Sequence, residues 1–326
     1  MTLSLEIVRS LETGIFFPAN LIGNLLVIVV IKRTKKNLRT PVNYLLGNLA
    51  VADITVAIFM VVDQVFFHVA HHPRGLAGDY LCKLLTGKTL SWVGSVASVC
   101  TLLALAFERF YAIVLPHHSR DRVTKRRVGV LVASRWLFAF LFNAPLFVVR
   151  KFNDEQVETG FFCASYWPDN RLGLGYNYLW LMFVGVIPVG IMVLFYGRIV
   201  HNLWYSERQV VQGAQLARLN SRKRVTKILV TLNVVYAFCW FPNLLLNILN
   251  YYIANPALHS IGYLVTELLV LLNSSINPFV YALQSKQFRI AVKHIVRCRT
   301  SAEVRPLGKV DTRAVDSLTR TVKMPQ

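Results

Sequence analysis

Long apolar stretches alternate with short charged ones along this chain. Charged residues are absent from 13–31, 89–107, 172–197 and 228–266. A helix of roughly 20 apolar residues, rising about 1.5 Å per residue, crosses the hydrocarbon core of a bilayer. A membrane-spanning strand needs only about 10 residues, so these stretches are too long to be strands. The pattern therefore predicts seven transmembrane helices, at about 14–32, 42–69, 81–115, 128–149, 176–203, 223–250 and 259–283.

A shorter amphipathic pattern follows the seventh span. Phe288, Ala291, Val292 and Ile295 share one helical face, with basic residues opposite, which is typical of a helix lying in the membrane interface. Cys298 at its end is either a palmitoylation site or an unmodified thiol. The predicted fold class is an all-α membrane protein, a seven-transmembrane helix bundle plus this short helix. The predicted segments are an extracellular N-terminus at 1–13, the bundle at 14–283, the amphipathic helix at 284–298 and a tail at 299–326.

Composition agrees with a membrane location. Of 326 residues, 55% are hydrophobic and 16% are charged, and the mean hydropathy is +0.47, whereas a soluble domain carries about a quarter of its residues as charges. The net charge of +20 could indicate nucleic acid, but the basic residues lie in links between apolar spans. We therefore expect membrane lipids, and no nucleic acid, as their partners. The first span lacks a basic leader and a cleavage site, so we expect it to remain in place.

The charged links also predict an orientation. The links after spans one, three and five are basic at 32–36, 120–127 and 208–227, and the tail is basic too. The alternate links are mixed or acidic, as at 153–158. Because cytoplasmic links carry the excess of Lys and Arg, we predict a multi-pass plasma-membrane protein with an extracellular amino terminus. The amphipathic helix and the tail then lie in the cytoplasm.

Ionisable residues and prolines interrupt the apolar spans. Asp53 lies deep in the second span, and a carboxylate at that depth requires a partner, so it is either a structural hydrogen-bond hub or an ion or proton site. Glu108 and Arg109 lie side by side near the end of the third span, where the arginine either snorkels or has a function. Prolines kink helices by removing a backbone hydrogen bond, and kinked helices suit a switch. They occur at Pro145, Pro188, Pro242 and Pro278.

Short motifs occur in order, about one per span. They are Leu49-Ala50-Val51-Ala52-Asp53, Glu108-Arg109-Phe110, Trp136, Pro188 with Tyr196, Cys239-Trp240-Phe241-Pro242 and Asn273-Ser274-X-X-Asn277-Pro278-X-X-Tyr281. With this set the chain resembles the rhodopsin-like (class A) family of G-protein-coupled receptors from Gly23 to Phe288.

The resemblance implies a receptor, not an enzyme, that activates a heterotrimeric G protein by helix rearrangement. It implies that Glu108 holds Arg109 at rest and that Arg109 is released toward the G protein. Trp240 becomes the aromatic floor of the ligand cavity. The coupling and switch residues implied are Glu108, Arg109, Tyr196, Trp240, Pro242, Asn277, Pro278 and Tyr281.

The resemblance also implies a sodium pocket and a disulfide. The pocket favours the inactive state, and Na⁺ is the one ion expected, with no other metal or cofactor. In this scheme Cys82 and Cys163 are the outward-facing cysteines, so a disulfide pins the second outer loop to the top of span three. The implied sodium ligands are Asp53, Ser98, Asn273, Ser274 and Asn277.

Several positions depart from the family pattern. Phe110 replaces the tyrosine of Asp-Arg-Tyr, and Tyr236 replaces the phenylalanine below Trp240. Where some members carry an acid opposite the arginine, this chain has Arg222. Without that inter-helix ion pair, we expect ligand-free signalling.

The spacing at the start of span three departs as well. The distance from Cys82 to Arg109 is two residues longer than is usual in the family. This predicts an extra half-turn or a bulge near Thr86-Gly87-Lys88. Because of these two additional residues, the sequence does not fix which residues of span three face the pocket.

The ligand class follows partly from what is missing. Ser91 and Ser95 stand where amine receptors have an aspartate, and Leu271 stands where opsins need a lysine. A monoamine receptor and an opsin are therefore not expected.

Two carboxylates remain near the outer end. Asp63 lies ten residues beyond Asp53 and Glu267 ten residues before Asn277, about 15 Å along each helix. Converging carboxylates attract an Arg- or Lys-bearing ligand, so we predict a basic or amidated neuropeptide, as for RFamide and neuropeptide Y receptors. In the alternative, the carboxylates pair with Gln64, Tyr263 or water. The predicted pocket comprises Asp63, Gln64, Ser91, Ser95, Trp240, Asn243, Asn247, Tyr263 and Glu267.

Rival classes fit the sequence less well. A transporter often shows internal repeats and several midplane charges, whereas Asp53 is the one deeply placed ionisable group that we find. His68, His71 and His72 are either surface histidines or a weak metal site. An orphan or small-molecule class A receptor with high basal activity is the main alternative. Phosphorylation of the tail by receptor kinases would dock an arrestin, although a disordered tail has the same composition.

Overall fold

The computed structural model describes residues 2–33, 41–68, 72–115, 125–154, 162–209, 214–253 and 256–296. Within these ranges the chain forms seven long helical segments and one short helix, α1 to α8, at 2–33, 41–68, 75–114, 125–149, 170–209, 214–249, 256–284 and 286–296. Their uninterrupted α-helical stretches are Thr2–Leu11, Phe17–Arg33, Pro41–His68, Gly75–Leu81, Thr89–Val114, Lys125–Phe142, Ala144–Val149, Asn170–Trp180, Ile187–Gln209, Ala214–Leu249, Pro256–Gln284 and Lys286–Val296. The predictions for Cys298, the tail and the links at 116–124 and 155–161 fall outside the described residues.

The helices are those of a membrane bundle, as predicted. Among the described residues, six helices are long and apolar enough to cross a membrane, and α4 contains a shorter apolar helix, Val128–Phe142. Along α3, 21 residues separate Lys88 from Arg109, or about 31 Å, close to the thickness of the hydrocarbon. We refer below to the Lys88 end and the Arg109 end of the bundle.

The first helix begins earlier than predicted. Its helix starts at Thr2 and passes through a π-helical turn at Glu12–Phe16, so the segment predicted to precede the bundle is part of α1. Arg9 and Glu12 precede the charge-free stretch 13–31, but both are buried. They lie within electrostatic range of other buried charges, including Lys88, which explains how charged residues can enter the bundle.

The predicted bulge at the start of α3 is confirmed. A π-helical turn at Cys82–Thr86 is followed by Gly87, and Lys88 adopts a left-handed conformation with φ of 60° before α-helix resumes at Thr89. Left-handed backbone is uncommon outside glycine. The bulge takes up the additional residues between Cys82 and Arg109.

Prolines interrupt two helices and are accommodated in two others. In α4 the helix stops at Phe142 and resumes at Ala144, ahead of Pro145. In α5 a π-helical turn at Leu181–Val186 precedes Pro188. Helices α6 and α7 continue through Pro242 and Pro278.

Tyr236 compensates for one of these prolines. Pro188 has no N–H to donate to the carbonyl of Val184, four residues earlier. The Tyr236 hydroxyl donates a hydrogen bond to that carbonyl instead. The departure from phenylalanine therefore supplies a direct link between α6 and α5.

A hairpin covers the Lys88 end. Strands β1 (Arg150–Phe152) and β2 (Cys163–Ser165) pair antiparallel, with Phe152 opposite Cys163. The predicted disulfide joins Cys82 to Cys163, with their Cα atoms 5.5 Å apart. It fixes the hairpin to the π-helical turn of α3.

Hydrogen bonds between polar side chains connect the helices at the centre of the bundle. Trp136 Nε1 donates to Asn48 Oδ1 at 2.9 Å, and Asn48 Nδ2 donates to Thr101 Oγ1 at 2.7 Å, which ties α4, α2 and α3 together. At the Arg109 end, α8 buries Phe288 and Ala291 on its predicted apolar face.

Candidate functional site

A buried lysine joins three helices at the Lys88 end. Lys88 Nζ lies 2.6 Å from Glu267 Oε2 of α7 and 3.3 Å from Asp63 Oδ2 of α2. The side chains are buried, with exposures of 8% for Lys88, 10% for Asp63 and 0% for Glu267. Separating a buried pair by removing one partner costs about 3–5 kcal/mol, so this cluster holds α2, α3 and α7 together.

A third carboxyl group, that of Glu12, lies close to the cluster. Glu12 is fully buried, and neither of its carboxylate oxygens has a hydrogen-bond partner among the described residues. Its electrostatic neighbours are Lys88, Glu267, Asp63 and Arg9. Three carboxyl groups and two cations therefore lie close together in a region of low dielectric, where electrostatic interactions are strong.

The prediction for Asp63 and Glu267 therefore needs one correction. The two carboxylates converge, as predicted, but on a lysine of the same chain, so they do not form an open acidic site. Asp63 Oδ1 also accepts the backbone N–H of Gln64 at 3.0 Å, and Tyr263 lies beside Glu267. The predicted alternative partners are thus nearby, but the strong partner is Lys88.

A cavity of about 600 Å³ opens next to this cluster. Asp63 and Lys88 form part of its wall, and Arg150 of the hairpin contributes a second cation. Amide side chains are its most frequent polar groups. They are Asn153, Asn170, Asn177, Asn243, Asn247 and Asn250.

The cavity uses some of the predicted pocket residues and excludes others. Asp63, Asn243, Asn247 and Tyr263 line it. The residues that do not line it are Gln64, Ser91, Ser95, Trp240 and Glu267.

The bulge at Lys88 explains the error on α3. Ser91 is buried and donates to the Val56 carbonyl of α2 at 3.1 Å, and Ser95 is 1% exposed. Lys88 and Trp92 line the cavity in their place. The predicted shift of two residues at the start of α3 therefore changes which of its side chains face a ligand.

Aromatic rings form the cavity floor in two layers. Trp92 and Trp180 line the cavity, and the Trp240 ring lies beneath them, with centroids 6.3 Å from Trp92 and 6.2 Å from Trp180. Tyr236 follows below, 5.8 Å from Trp240. Trp240 was predicted to be the floor itself, but two tryptophans that the motifs did not single out separate it from the cavity.

The predicted sodium ligands converge in the middle of the bundle. Ser98 Oγ donates to Asp53 Oδ1 at 3.1 Å and Asn277 Nδ2 donates to Oδ2 at 2.6 Å, with Ser274 alongside. Asn273 is buried one turn before Asn277. A fully buried carboxylate with hydroxyl and amide oxygens nearby is a donor set that suits a hard cation.

At the Arg109 end an ion pair joins two neighbours on α3. Arg109 Nε lies 2.5 Å from Glu108 Oε2, and the two side chains are 15% and 17% exposed. The ion pair on which the predicted restraint depends is therefore present. Within the part of the chain that the structure describes, no carboxylate of another helix forms a salt bridge with Arg109. Arg222 on α6 is exposed.

Three of the predicted switch residues have unsatisfied polar atoms. The hydroxyls of Tyr196 and Tyr281 and the indole N–H of Trp240 are buried without a hydrogen-bond partner among the described residues. Asn233 is near the Tyr196 hydroxyl, but its amide donates to the Leu229 carbonyl. An unmade buried hydrogen bond costs about 1–3 kcal/mol, so a rearrangement that satisfies these groups is favoured.

The histidine prediction is resolved for His72. Its ring stacks between Phe152 and Phe162, and its Nδ1 lies 2.9 Å from the Pro73 carbonyl. Burial lowers the pKa of His72. Its cysteine neighbours, Cys82 and Cys163, form the disulfide and so offer no thiolate to a metal.

Sequence reasoning missed Lys88 as a site residue. The spacing between Cys82 and Arg109 located the bulge but gave no reason to assign the lysine on it to the carboxylates. A lone lysine within an apolar span was the available signal, because such residues are paired or functional.

Comparison with known proteins agrees with this geometry. The sequence model of the family described as 7 transmembrane receptor (rhodopsin family) matches residues 23–281. An Allatostatin-A receptor of Bombyx mori is 30% identical over 308 residues, covering 90% of this chain and 82% of that protein. A QRFP-like peptide receptor of Branchiostoma floridae is 28% identical over 297 residues, covering 88% and 77%. A neuropeptide Y receptor type 6 of Mus musculus is 27% identical over 284 residues, covering 82% and 74%.

Proposed function

Because this chain belongs to the rhodopsin family of seven-transmembrane receptors, we propose that it binds an extracellular neuropeptide at the Lys88 end. It then activates a heterotrimeric G protein at the Arg109 end. As a member of this family it is a signalling receptor and not an enzyme. Its similarity to proteins named as peptide receptors supports the ligand class.

The Lys88 end faces the extracellular side in this proposal. The disulfide between Cys82 and Cys163 suits an oxidising compartment, and the basic links lie at the opposite end. The receptor is then a multi-pass plasma-membrane protein with a cytoplasmic tail. Receptor kinases and an arrestin are proposed as further partners of that tail.

The ligand is a short peptide with an amidated carboxyl end. Asparagine side chains both donate and accept hydrogen bonds, and six of them line the cavity, so they match peptide and terminal amide groups. The amide-lined cavity beside that cluster is the observation that carries the proposal.

A basic side chain of the peptide reaches Asp63. Asp63 is the carboxylate of the cluster that lines the cavity, whereas Glu267 lies behind it. A ligand guanidinium at Asp63 competes with Lys88 for this carboxylate. Weakening one arm of the cluster changes the link between α2, α3 and α7.

The tryptophan layers carry this change toward the Arg109 end. Trp92 and Trp180 contact the ligand and lie on Trp240, which lies on Tyr236. Tyr236 in turn links α6 to α5 through Val184. Movement of α6 away from α3 exposes Arg109 to the G protein, and Tyr196 and Tyr281 turn inward to find partners for their hydroxyls. Sodium at Asp53 opposes this movement.

A panel of peptides of three to eight residues tests the proposed ligand. Each peptide is supplied with an amidated and with a free carboxyl end, and nucleotide exchange on co-reconstituted G protein is measured. At least one amidated peptide should stimulate exchange. Its free-acid twin should be about tenfold weaker, because a carboxylate cannot donate hydrogen bonds to the asparagine side-chain oxygens, and a tenfold loss corresponds to about 1.4 kcal/mol. Equal potency of all twins would contradict the amide requirement.

Asp63→Asn tests the contact with the basic side chain. The variant should shift the dose-response of an active basic peptide to higher concentration while leaving a neutral amidated peptide less affected. Glu6→Gln, which removes an exposed carboxylate that does not line the cavity, is the matched control. A dose-response that stays unchanged in Asp63→Asn removes Asp63 from the ligand site.

A receptor with high basal activity is the second candidate. The lack of a described salt bridge between Arg109 and another helix favours it, and it does not require a peptide. Strong exchange without ligand, together with no response to any peptide, would favour this alternative.

A further inference from the structure

Arg150 is the second cation in the wall of the cavity, and it has no counter-ion among the residues that the structure describes. It lies where α4 ends and β1 begins, and it lines the cavity together with Lys88. Its Nε atom is enclosed without a hydrogen-bond partner. No hydrogen bond or salt bridge joins its side chain to another described residue. Because a guanidinium is always charged in proteins, Arg150 presents an unpaired positive charge to the cavity.

The carboxylates of the cavity wall and around the hairpin have other partners. Asp63 is paired with Lys88. Asp79 accepts a backbone N–H of β1 at 2.8 Å, and Asp154 lies 3.5 Å from an exposed arginine that precedes α3. Beyond the Lys88 and Asp63 pair, Arg150 therefore leaves the charged groups of the cavity wall with one positive charge, which favours an anionic group on the ligand.

The backbone of Arg150 is held in place on both sides. Its N–H donates to the Leu146 carbonyl at the end of α4. Across the hairpin it lies opposite Ser165, two residues from Cys163, which carries the disulfide. A side chain on a fixed backbone loses less conformational freedom when it binds a ligand, so this position suits a binding residue.

The side chain extends from the hairpin toward the start of α3. A Cβ on Gly87 would lie 3.5 Å from Arg150 Cδ, so the stem of the arginine packs beside the residue that precedes Lys88. The guanidinium also acts electrostatically on Tyr176 of α5 and Tyr263 of α7, and both tyrosines line the cavity. The positive charge therefore lies within the cavity, among α3, α5 and α7.

We propose that Arg150 binds a carboxylate of the peptide ligand, supplied by an Asp or Glu side chain. The assignment rests on the proposed function, in which the end of the peptide is amidated and offers no carboxylate of its own. A guanidinium binds a carboxylate through two parallel hydrogen bonds. The ligand then carries a basic side chain at Asp63 and an acidic one at Arg150. Peptides with the two charges exchanged are rejected, because like charges meet at both points.

Matched amidated peptides test the contact on the wild-type receptor. Each amidated peptide of the panel is made in three forms that carry Glu, Gln or Lys at one position and are otherwise identical. Binding of a fluorescent derivative to the purified full-length receptor is measured for each form. At one position the Glu form should bind about tenfold more tightly than the Gln form, because it alone makes a charge-assisted pair. The Lys form should bind more weakly still.

Variants of Arg150 assign this preference to one side chain. Arg150→Gln should bind the Glu and Gln forms equally, and Arg150→Glu should prefer the Lys form. Arg150→Lys keeps the charge but not the two parallel hydrogen bonds, so its preference should fall to about threefold. Lys151→Gln is the matched control, since Lys151 is the next residue on β1, is exposed and does not line the cavity. It should keep the full preference.

The preference is a ratio of two affinities for the same receptor, so a variant that binds every peptide more weakly still reports it. Equal binding of the Glu and Gln forms by the wild type at every position would overturn the proposal. An Arg150→Gln variant that keeps the preference would do the same. So would a free-acid peptide that binds more tightly than its amidated twin to the wild type but not to Arg150→Gln, since the terminal carboxylate would then occupy Arg150. Binding of no peptide at all would instead contradict the proposed function, and the assignment with it.

Discussion

The Lys88 end and the Arg109 end of the bundle hold their charges differently. At the Lys88 end, one lysine links carboxylates on two other helices, and all three side chains are buried. At the Arg109 end, the ion pair joins adjacent residues of one helix and is partly exposed. The first arrangement connects helices and the second does not.

The difference bears on where the bundle can move. The disulfide adds a covalent link between α3 and the hairpin at the Lys88 end. At the Arg109 end, no salt bridge that the structure describes must break before α6 moves away from α3. A change at the well-connected end can therefore open the weakly connected one, which is the behaviour that a receptor requires.

Removing the central lysine should have the largest effect. Lys88→Met leaves two buried carboxylates without a partner, so we expect unfolding to be easier by about 3–5 kcal/mol. Thermal unfolding of the purified receptor measures this. Adding Asp63→Asn and Glu267→Gln to Lys88→Met should restore most of the stability, whereas a fully stable Lys88→Met would mean that the cluster does not hold the helices.

Removing the disulfide should have the next largest effect. Replacing both Cys82 and Cys163 by serine releases the hairpin and should cost about 2–4 kcal/mol. Peptide-stimulated exchange should fall, because Arg150 and its neighbours in the cavity wall lose their position. Ligand-free exchange depends on the Arg109 end and should change little. A parallel loss of both activities would show that the two ends are not separable.

A smaller effect is expected at the link between α5 and α6. Tyr236→Phe leaves the Val184 carbonyl without its donor, at a cost of about 1–3 kcal/mol, while keeping the ring beneath Trp240. Since this link restrains α6, ligand-free nucleotide exchange should rise. Tyr80→Phe, which removes an exposed hydroxyl on α3 at the Lys88 end, is the control. A basal rate equal to wild type would remove Tyr236 from the restraint.

The smallest effect is expected from rebuilding an ion pair at the Arg109 end. Arg222→Glu places an acid on α6, and exposed ion pairs contribute about 0–1 kcal/mol, so ligand-free second-messenger output should fall by up to about fivefold. Arg222→Gln, which removes the positive charge alone, should fall less. Wild-type output no higher than that of mock-transfected cells would contradict the expected basal signalling.

The sequence predicted the features that depend on local pattern. The length of the apolar stretches located the spans. The ordered motifs located Asp53 and Arg109, and the resemblance that they support implied the disulfide. The bulge before α3 followed from the count of residues between Cys82 and Arg109. The early start of α1 did not follow, because burial of Arg9 and Glu12 depends on charges from other helices.

The role of Lys88 shows where such predictions stop. A left-handed residue directs its side chain differently from a helical one, and neither the direction nor the meeting with Asp63 and Glu267 is encoded locally. The same turn moved Ser91 and Ser95 out of the cavity and brought Trp92 into it. Tyr236 was recognised as unusual, but its partner was hidden until α5 and α6 were packed together.

Nucleotide exchange on a heterotrimeric G protein, reconstituted with the purified receptor, tests most directly whether the Arg109 end is the output. Arg109→Gln should abolish both ligand-free and peptide-stimulated exchange while peptide binding at the Lys88 end persists. Glu108→Gln, which frees Arg109, should raise the ligand-free rate. Exchange that continues at the wild-type rate in Arg109→Gln would contradict the proposed coupling.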